Sequence, residues 1–477
     1  MHLSISKDKI LKFLLISLLF FLAGHAFCYC NPTFSGESFT INAQKASNTQ
    51  ISSGAFLLPI YWKLRAPVAS PLFIGMLSFL SLFASSILLC DLFGIARISQ
   101  YAVLSGVLTL NSFLLSFNSS NLHTAEVPWI SFLLSVLAIW LLLKESLLFF
   151  ARPFSLVCAV LSIGLFPPNM QLLPGLILLV LLYHKRASLP LPSGFLLHSM
   201  LLFVFSVAFS LSGFYLMSRI KHLDFECSFH FIFNGRSGSF LYPLFSLFTP
   251  VNAYPIFYRI FRIVLLSLAL ILLRRDPLSL SVLAMLLFCP SLPVFTNQDL
   301  GQFLPSFLLM DVGFLLIIFP LFDRIPTKIC LLLCYSICFL GAIVFSNQVY
   351  LKLALNFDSA LSVMTRVIAR IESIPEFHPG ETPTAFLGTL EESVYSVERP
   401  GFSHLSSLEA ASYNTALMDN SQITWYLWET LGYPFELVSD YDKSILEKNE
   451  TVQAMAAFPS LDSCKMIDGV LVVRLSR

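Results

Sequence analysis

The stretch Tyr29-Cys30-Asn31-Pro32-Thr33-Phe34-Ser35-Gly36-Glu37-Ser38-Phe39, with the polar run that follows it to Ser53, decides the reading of this chain. An apolar run, Ile10–Cys28, precedes it and another, Leu72–Phe93, follows it. Each has the length of a membrane-spanning helix, about 20 residues. The polar stretch between them is therefore the first loop of a membrane bundle. It holds a single carboxylate, Glu37, among small and hydroxylated residues. Such an acid is either a solvated loop residue or a chemical group at the mouth of the bundle.

The whole chain agrees. Of 477 residues, 56% are hydrophobic and 12% charged, and the mean hydropathy is +0.78. A soluble domain carries about 25% charged residues. Half that value, with runs long enough to span lipid, means a polytopic membrane protein whose first partner is the lipid bilayer. The formal net charge of +1 gives no bulk attraction to nucleic acid, so no nucleic-acid partner is expected.

The expected spans are Ile10–Cys28, Leu72–Phe93, Tyr101–Phe117, Trp129–Leu143, Pro153–Phe166, Gln171–Tyr183, Phe195–Met217, Ile256–Leu273, Pro277–Cys289, Phe303–Phe322 and Ile329–Phe345. That makes about eleven, several of them short. Lys7, Lys9 and Lys12 ahead of Leu14–Phe27 resemble a signal peptide. The poor cleavage-site neighbours His25 and Phe27 favour an uncleaved first helix.

Alternate threading from an inside N-terminus puts basic residues in every inside loop: Arg97; Lys144 and Arg152; Lys185 and Arg186; Arg274 and Arg275; Arg324 and Lys328. The outside loops are longer and mixed in sign. Among them, Gly54–Pro67 reads as an interfacial helix, with Tyr61, Trp62, Lys63 and Arg65 at its boundary. Arg219–Tyr254 is a second long outside segment. The same threading leaves everything after Phe345 outside.

The composition changes near Ser346. Leu353, Phe357, Leu361, Met364, Ile368 and Ile371 recur at three and four, the pattern of an amphipathic helix. Thr384–Leu390 reads as a strand, and Leu408–Met418, Ser421–Leu431 and Lys443–Ala457 read as helices. Lys465 to Arg474 reads as two strands around an Asp468-Gly469 turn. This is an α/β domain of about 130 residues, large enough for its own core.

The chemistry-bearing residues are few. No phosphate-binding glycine loop, His-rich metal cluster or nucleophile elbow occurs. Asp440-Tyr441-Asp442 has the spacing of a divalent-cation clamp but reads as a solvated loop. Cys330, Cys334 and Cys338 share one helix face and read as packing residues. Cys28 and Cys30 face a possible pairing with Cys227 or Cys464 in an oxidising compartment. No cofactor and no metal is expected. Asp311 lies mid-span, where a charge needs an interior partner. Glu37 and Glu126 share the outside face, and His123 stands three residues before Glu126. An acid so placed can take the proton of an attacking hydroxyl. Lys63, Arg65, Arg219 and Arg236 lie on that face and can either bind a leaving phosphate or anchor at the interface.

Four stretches together resemble a known family. They are Ser35-Gly36-Glu37-Ser38 with Ile51-Ser52-Ser53-Gly54-Ala55-Phe56, Pro59-Ile60-Tyr61, Arg65 and Pro71-Leu72-Phe73-Ile74-Gly75; His123 to Glu126; Asn347-Gln348 with Asp358 and Arg366 to Glu372; and Lys465 to Val473. In order and spacing they resemble the type II serotype-conversion glucosyltransferases, membrane enzymes that decorate bacterial O-antigen. The resemblance implies a GT-C-like fold. It also implies a polyprenyl-phosphate glucose donor on the outer face of the inner membrane, and transfer with inversion to a glycan acceptor. The first-loop acid, here Glu37, is the implied base. The family pattern has Asp where this chain has Glu37, Arg where it has Ala55, and Asp directly after the second-loop His, where it has Thr124.

The expectation is thus a mainly α polytopic bundle over residues 1–346, with outer loops 29–69 and 218–255. A small α/β extracytoplasmic domain over 347–477 completes it. Glu37 and Glu126 are the expected catalytic acids, and His123, Lys63, Arg65, Arg219 and Arg236 the expected substrate-binding residues. The alternative is a transporter or flippase of a lipid-linked glycan, built around Asp311.

Overall fold

A computed structural model describes residues 7–31, 51, 54–65, 70–144, 150–222, 256–288, 304–390, 400–405 and 431–476. Two compact units emerge. The first comprises Met1–Cys30, Gln44–Phe117 and His123–Asn347, and the second Asn31–Ala43, Asn118–Leu122 and Gln348–Arg477.

The first unit is helical. Its elements begin with α1 (Lys7–Cys30), α2 (Leu58–Arg65), α3 (Pro71–Leu92), α4 (Ile98–Thr109), α5 (Ser112–Ser120) and α6 (Val127–Leu143). They continue with α7 (Ala151–Leu165), α8 (Leu172–Arg186), α9 (Phe195–Ile220), α10 (Ile256–Leu273), α11 (Pro277–Phe288), α12 (Leu304–Ile318) and α13 (Ile325–Glu372). Within the described residues, each apolar run named above is largely helical. Five helical stretches among the described residues are long and apolar enough to cross a membrane: Lys7–Cys30, Pro71–Leu92, Leu122–Leu143, Phe195–Ile220 and Ile325–Glu372. The others are shorter, and prolines explain much of this. Pro167-Pro168 ends α7 in a 3-10 turn (Pro167–Gln171), and Pro277 opens α11. Within the expected Gly54–Pro67 segment, Leu58–Arg65 forms the helix α2.

The bundle is arranged for an apolar solvent. Leu11, Leu15, Leu19 and Leu22 form an exposed stripe on α1, and Ile329, Leu333, Ile337, Leu340 and Val344 do the same on α13. The interior instead holds small and hydroxylated residues. Ser131 Oγ and Ser162 Oγ each reach the other's backbone carbonyl, at 2.7 and 2.8 Å, and join α6 to α7. Ser155 Oγ donates to Ala138 O, 2.7 Å, further along the same seam. Small side chains let helices approach closely where apolar burial gives no net drive. A second polar knot joins α1, α3 and α4, with Tyr101 Oη 2.5 Å from Ser17 Oγ and 2.9 Å from Ser86 Oγ.

Two expectations need correction. The span expected at Tyr101–Phe117 is two helices, α4 and α5. Asn111 separates them: its Nδ2 donates to Leu108 O at 2.5 Å, and its Oδ1 accepts from Leu114 N at 2.8 Å. An asparagine that satisfies both helix ends competes with helix continuation. The span at Ile329–Phe345 and the amphipathic helix after it are one 48-residue helix, α13.

In the second unit, the C-terminal part of α13 buries Phe357, Ala360, Val363, Met364, Val367 and Ile371 against Phe386, Leu471 and Val473. Leu361, expected on this face, is exposed, because the 3-4-3-4 stripe runs through the small Ala360 instead. The sheet order is β2 (Glu436–Leu437), β1 (Pro383–Leu387), β4 (Val470–Arg474), β3 (Cys464–Ile467). β1 is parallel to both its neighbours, and β3 and β4 are an antiparallel hairpin. The expected hairpin turn is present: Asp468 and Gly469 both take positive φ, 51° and 78°, as a two-residue primed turn requires.

β2 was not foreseen. The helix expected at Lys443–Ala457 is two short ones, α14 (Asp440–Leu446) and α15 (Glu450–Gln453). Asn449 ends the first and caps the second, accepting from Thr451 N at 2.8 Å. Asp440-Tyr441-Asp442 opens α14, and Ser439 caps it by accepting from Asp442 N at 3.2 Å. Leu408–Met418 and Ser421–Thr430 lie outside the described residues, as does Arg219–Tyr254 beyond residue 222. Cys30 and Cys464 are free thiols, and Cys227 lies outside the described residues.

The partner required by Asp311 is Arg262. Its Nε and Nη2 lie 3.0 and 2.5 Å from the two carboxylate oxygens, and Asp311 is 5% exposed. Removing one member of such a pair strands a charge, which costs about 3–5 kcal/mol. Arg262→Leu is therefore expected to lower the thermal midpoint in detergent sharply, and Arg262→Leu with Asp311→Leu to recover most of it. A single variant that melts like wild type would show that the pair is not needed.

Candidate functional site

One end of the first unit gathers three chain segments that are far apart in sequence. Leu57 N donates to Gly164 O at 2.9 Å, which fixes the approach to α2 against the end of α7. Gly54, at φ +95°, lies against Pro167, where a side chain has neither the backbone conformation nor the room. Phe56 packs with Ile51 and with Phe214 near the end of α9. Asn169, in the 3-10 turn after α7, donates to Pro128 O at 3.2 Å and to Ser131 Oγ at 2.7 Å. It thereby fastens that turn to the first turn of α6.

Glu126 is the N-terminal cap residue of α6 and is wholly buried. Its backbone carbonyl accepts from Trp129 N and Ile130 N, at 3.1 and 2.9 Å. Its side chain does not cap the helix. Instead, Oε1 meets Arg65 Nη1 at 2.7 Å and accepts from Tyr61 Oη at 3.0 Å. The same Nη1 donates to the His123 backbone carbonyl at 2.9 Å. The Arg65 side chain is 3% exposed. Tyr61 and Arg65 are four apart on α2 and so share a face. Burial, then the adjacent Glu126 carboxylate, pushes the Tyr61 phenol well above its ordinary pKa, so it stays a donor at neutral pH.

The cluster is not closed. Glu126 Oε2 is buried and has no hydrogen-bond partner among the described residues. The same holds for Trp62 Nε1 and for both side-chain polar atoms of Gln171, at the end of the 3-10 turn. Unpartnered buried polar atoms cost about 1–3 kcal/mol each and call for a ligand, a water or a functional reason.

Of the residues expected at a site, the structure brings together Arg65, Glu126 and the main chain of His123. Lys63 is exposed. Arg219 is at the end of α9, exposed, and donates to Tyr215 Oη at 3.1 Å. Glu37 and Arg236 lie outside the described residues. Ala55 is buried, and so is the Arg65 guanidinium. Sequence reasoning missed the parts of Tyr61 and Gln171. The four-residue spacing of Tyr61 and Arg65 was available as a signal; for Gln171 there was none. Among the described residues no three His, Cys, Asp or Glu side chains come together as a metal site. The chain matches no family model, no curated protein and no solved structure.

Arg65 bridges two acceptors through one nitrogen, which a lysine ammonium on a different stem does not reproduce. Arg65→Lys is expected to lower stability by about 1.5–3 kcal/mol, the worth of a hydrogen bond to a charged group. Lys63→Ala is expected to leave it unchanged. Thermal unfolding of the two variants side by side checks this, and equal midpoints would contradict it.

Proposed function

We propose that this chain is a membrane glycosyltransferase that moves a hexose, glucose by the resemblance, from a polyprenyl-phosphate carrier to a surface glycan such as O-antigen. The observation that carries the reading is the buried Arg65–Glu126–Tyr61 cluster, in which two residues expected on the outer face meet. Two basic residues of the expected inside loops meet acidic partners elsewhere: Lys144 with Asp91 at 3.4 Å, and Arg97 with Asp323. That separation of polar clusters supports the outside assignment of Glu126, and with it a bacterial inner-membrane protein working at the periplasmic face.

In this reading the acceptor hydroxyl attacks the anomeric carbon and forms the new C–O bond. The bond from that carbon to the phosphate oxygen breaks, and the lipid phosphate leaves with the electron pair. The hydroxyl proton passes to a carboxylate. Glu37 is our choice for that base. Glu126, whose Oε1 is held by Arg65 and Tyr61, keeps Oε2 as an anchor for a hydroxyl donor. The exposed cationic side chains expected on this face, Lys63 and Arg219 among them, offset the charge of the leaving phosphate, while Arg65 stays with Glu126. The transporter alternative rested on Asp311, and that acid is held in an ion pair with Arg262.

A transfer assay with polyprenyl-phosphate glucose and O-antigen tests the proposal. General-base removal costs about 10²–10⁴ in rate, so Glu37→Gln is expected to lose at least a hundredfold. Equal rates for Glu37→Gln and wild type would remove Glu37 from the role. No transfer from any lipid-linked sugar would overturn the enzyme reading.

A further inference from the structure

Gln171 is fully buried, and neither its Oε1 nor its Nε2 has a partner among the described residues. An amide in that state loses its hydration with nothing in return. It is not an isolated oddity. Asn169, two residues earlier in the same 3-10 turn, is bonded to Pro128 O, and Glu126 lies two residues before Pro128. Gln171 and Glu126, whose side chains carry these unpartnered atoms, thus each stand two residues from one fastening between the 3-10 turn and α6. They are not hydrogen-bonded to each other.

Their needs are specific. Glu126 Oε2 and Gln171 Oε1 each require a donor, and Gln171 Nε2 requires an acceptor. A lipid tail offers none of these. A phosphate offers acceptors only and is repelled by the carboxylate. Neighbouring hydroxyls on a sugar ring offer donors and acceptors together.

We propose that Gln171 and Glu126 Oε2 form a hydroxyl-reading subsite that holds the sugar ring of a lipid-linked hexose. This rests on the transferase reading for the identity of the ligand, but not for the existence of the site. Arg65 and Tyr61 hold the carboxylate in place by occupying Oε1, which leaves Oε2 for the ligand. Gln171 is then a substrate-binding residue that distinguishes a sugar from its bare lipid phosphate.

The test uses the full chain in detergent and reads thermal midpoint against concentration of two probes: a short-chain polyprenyl-phosphate glucose and the same polyprenyl phosphate without sugar. Wild type is expected to be stabilised more by the sugar-bearing lipid. Gln171→Met keeps the volume and removes the unpaired amide. Without ligand it is expected to melt at or above the wild-type temperature, and its affinity for the sugar-bearing lipid is expected to fall about tenfold, to that of the bare lipid phosphate. If Gln171→Met melts lower and binds both lipids as wild type does, the amide serves an ordered water only and the inference fails. If both lipids stabilise wild type equally, the inference fails as well. A sugar-dependent shift lost in Gln171→Met, with no transfer activity in wild type, would overturn the transferase reading and leave the subsite standing.

Discussion

A carboxylate with no exposure to solvent cannot be ignored by the structure around it. Glu126 at the start of α6 is such a group, and the architecture of its end of the bundle follows from the need to keep it. Arg65 supplies the charge and Tyr61 a neutral donor. To bring both to the carboxylate, α2 must lie against the bundle, which in turn requires the tight turn at Gly54 and the close approach of Leu57 to the end of α7. A buried pair of this kind is weak evidence for stability, because desolvation cancels most of the Coulomb attraction. Its one open carboxylate oxygen, Glu126 Oε2, is what the proposed binding role uses.

Much of the rest of the bundle meets the same constraint, mostly with neutral groups. The serine seam between α6 and α7, the Tyr101 knot and the Arg262–Asp311 pair each satisfy polar atoms internally, since lipid offers no partner. Glu126 Oε2 and both amide atoms of Gln171 are among the buried polar atoms without a partner among the described residues, as are Trp62 Nε1 and the hydroxyls of Ser78, Ser199, Ser210 and Ser218.

Much of the fold was legible in the sequence, because apolar runs and the Asp468-Gly469 turn are local signals. Helix lengths were less legible. Asn111 splits one expected span and Asn449 another helix, each by a side-chain bond to backbone that hydropathy does not register. The merging of span and tail into α13 was missed because a change from lipid-facing to sheet-facing residues leaves helical backbone unaffected. β2, only two residues long, has no periodicity to read. At the site, Arg65 and Glu126 were legible singly from charge and side. Their pairing was not, since it depends on how α2 packs 61 residues before Glu126 in the chain. Gln171 looked like the first residue of a span, and only its burial without partners gives it meaning.

The central claim is that the segments around Arg65, Glu126 and Gln171 form one binding site for a lipid-linked sugar. Photocrosslinking tests it most directly, with a polyprenyl-phosphate hexose carrying the photoreactive group on the sugar ring, followed by peptide mapping. The account predicts that labelled peptides come from residues 51–65, 122–128 and 166–171, and that unlabelled lipid-linked hexose competes the signal away. Labelling confined to the exposed apolar stripes of α1 and α13, or undiminished by the competitor, would contradict it.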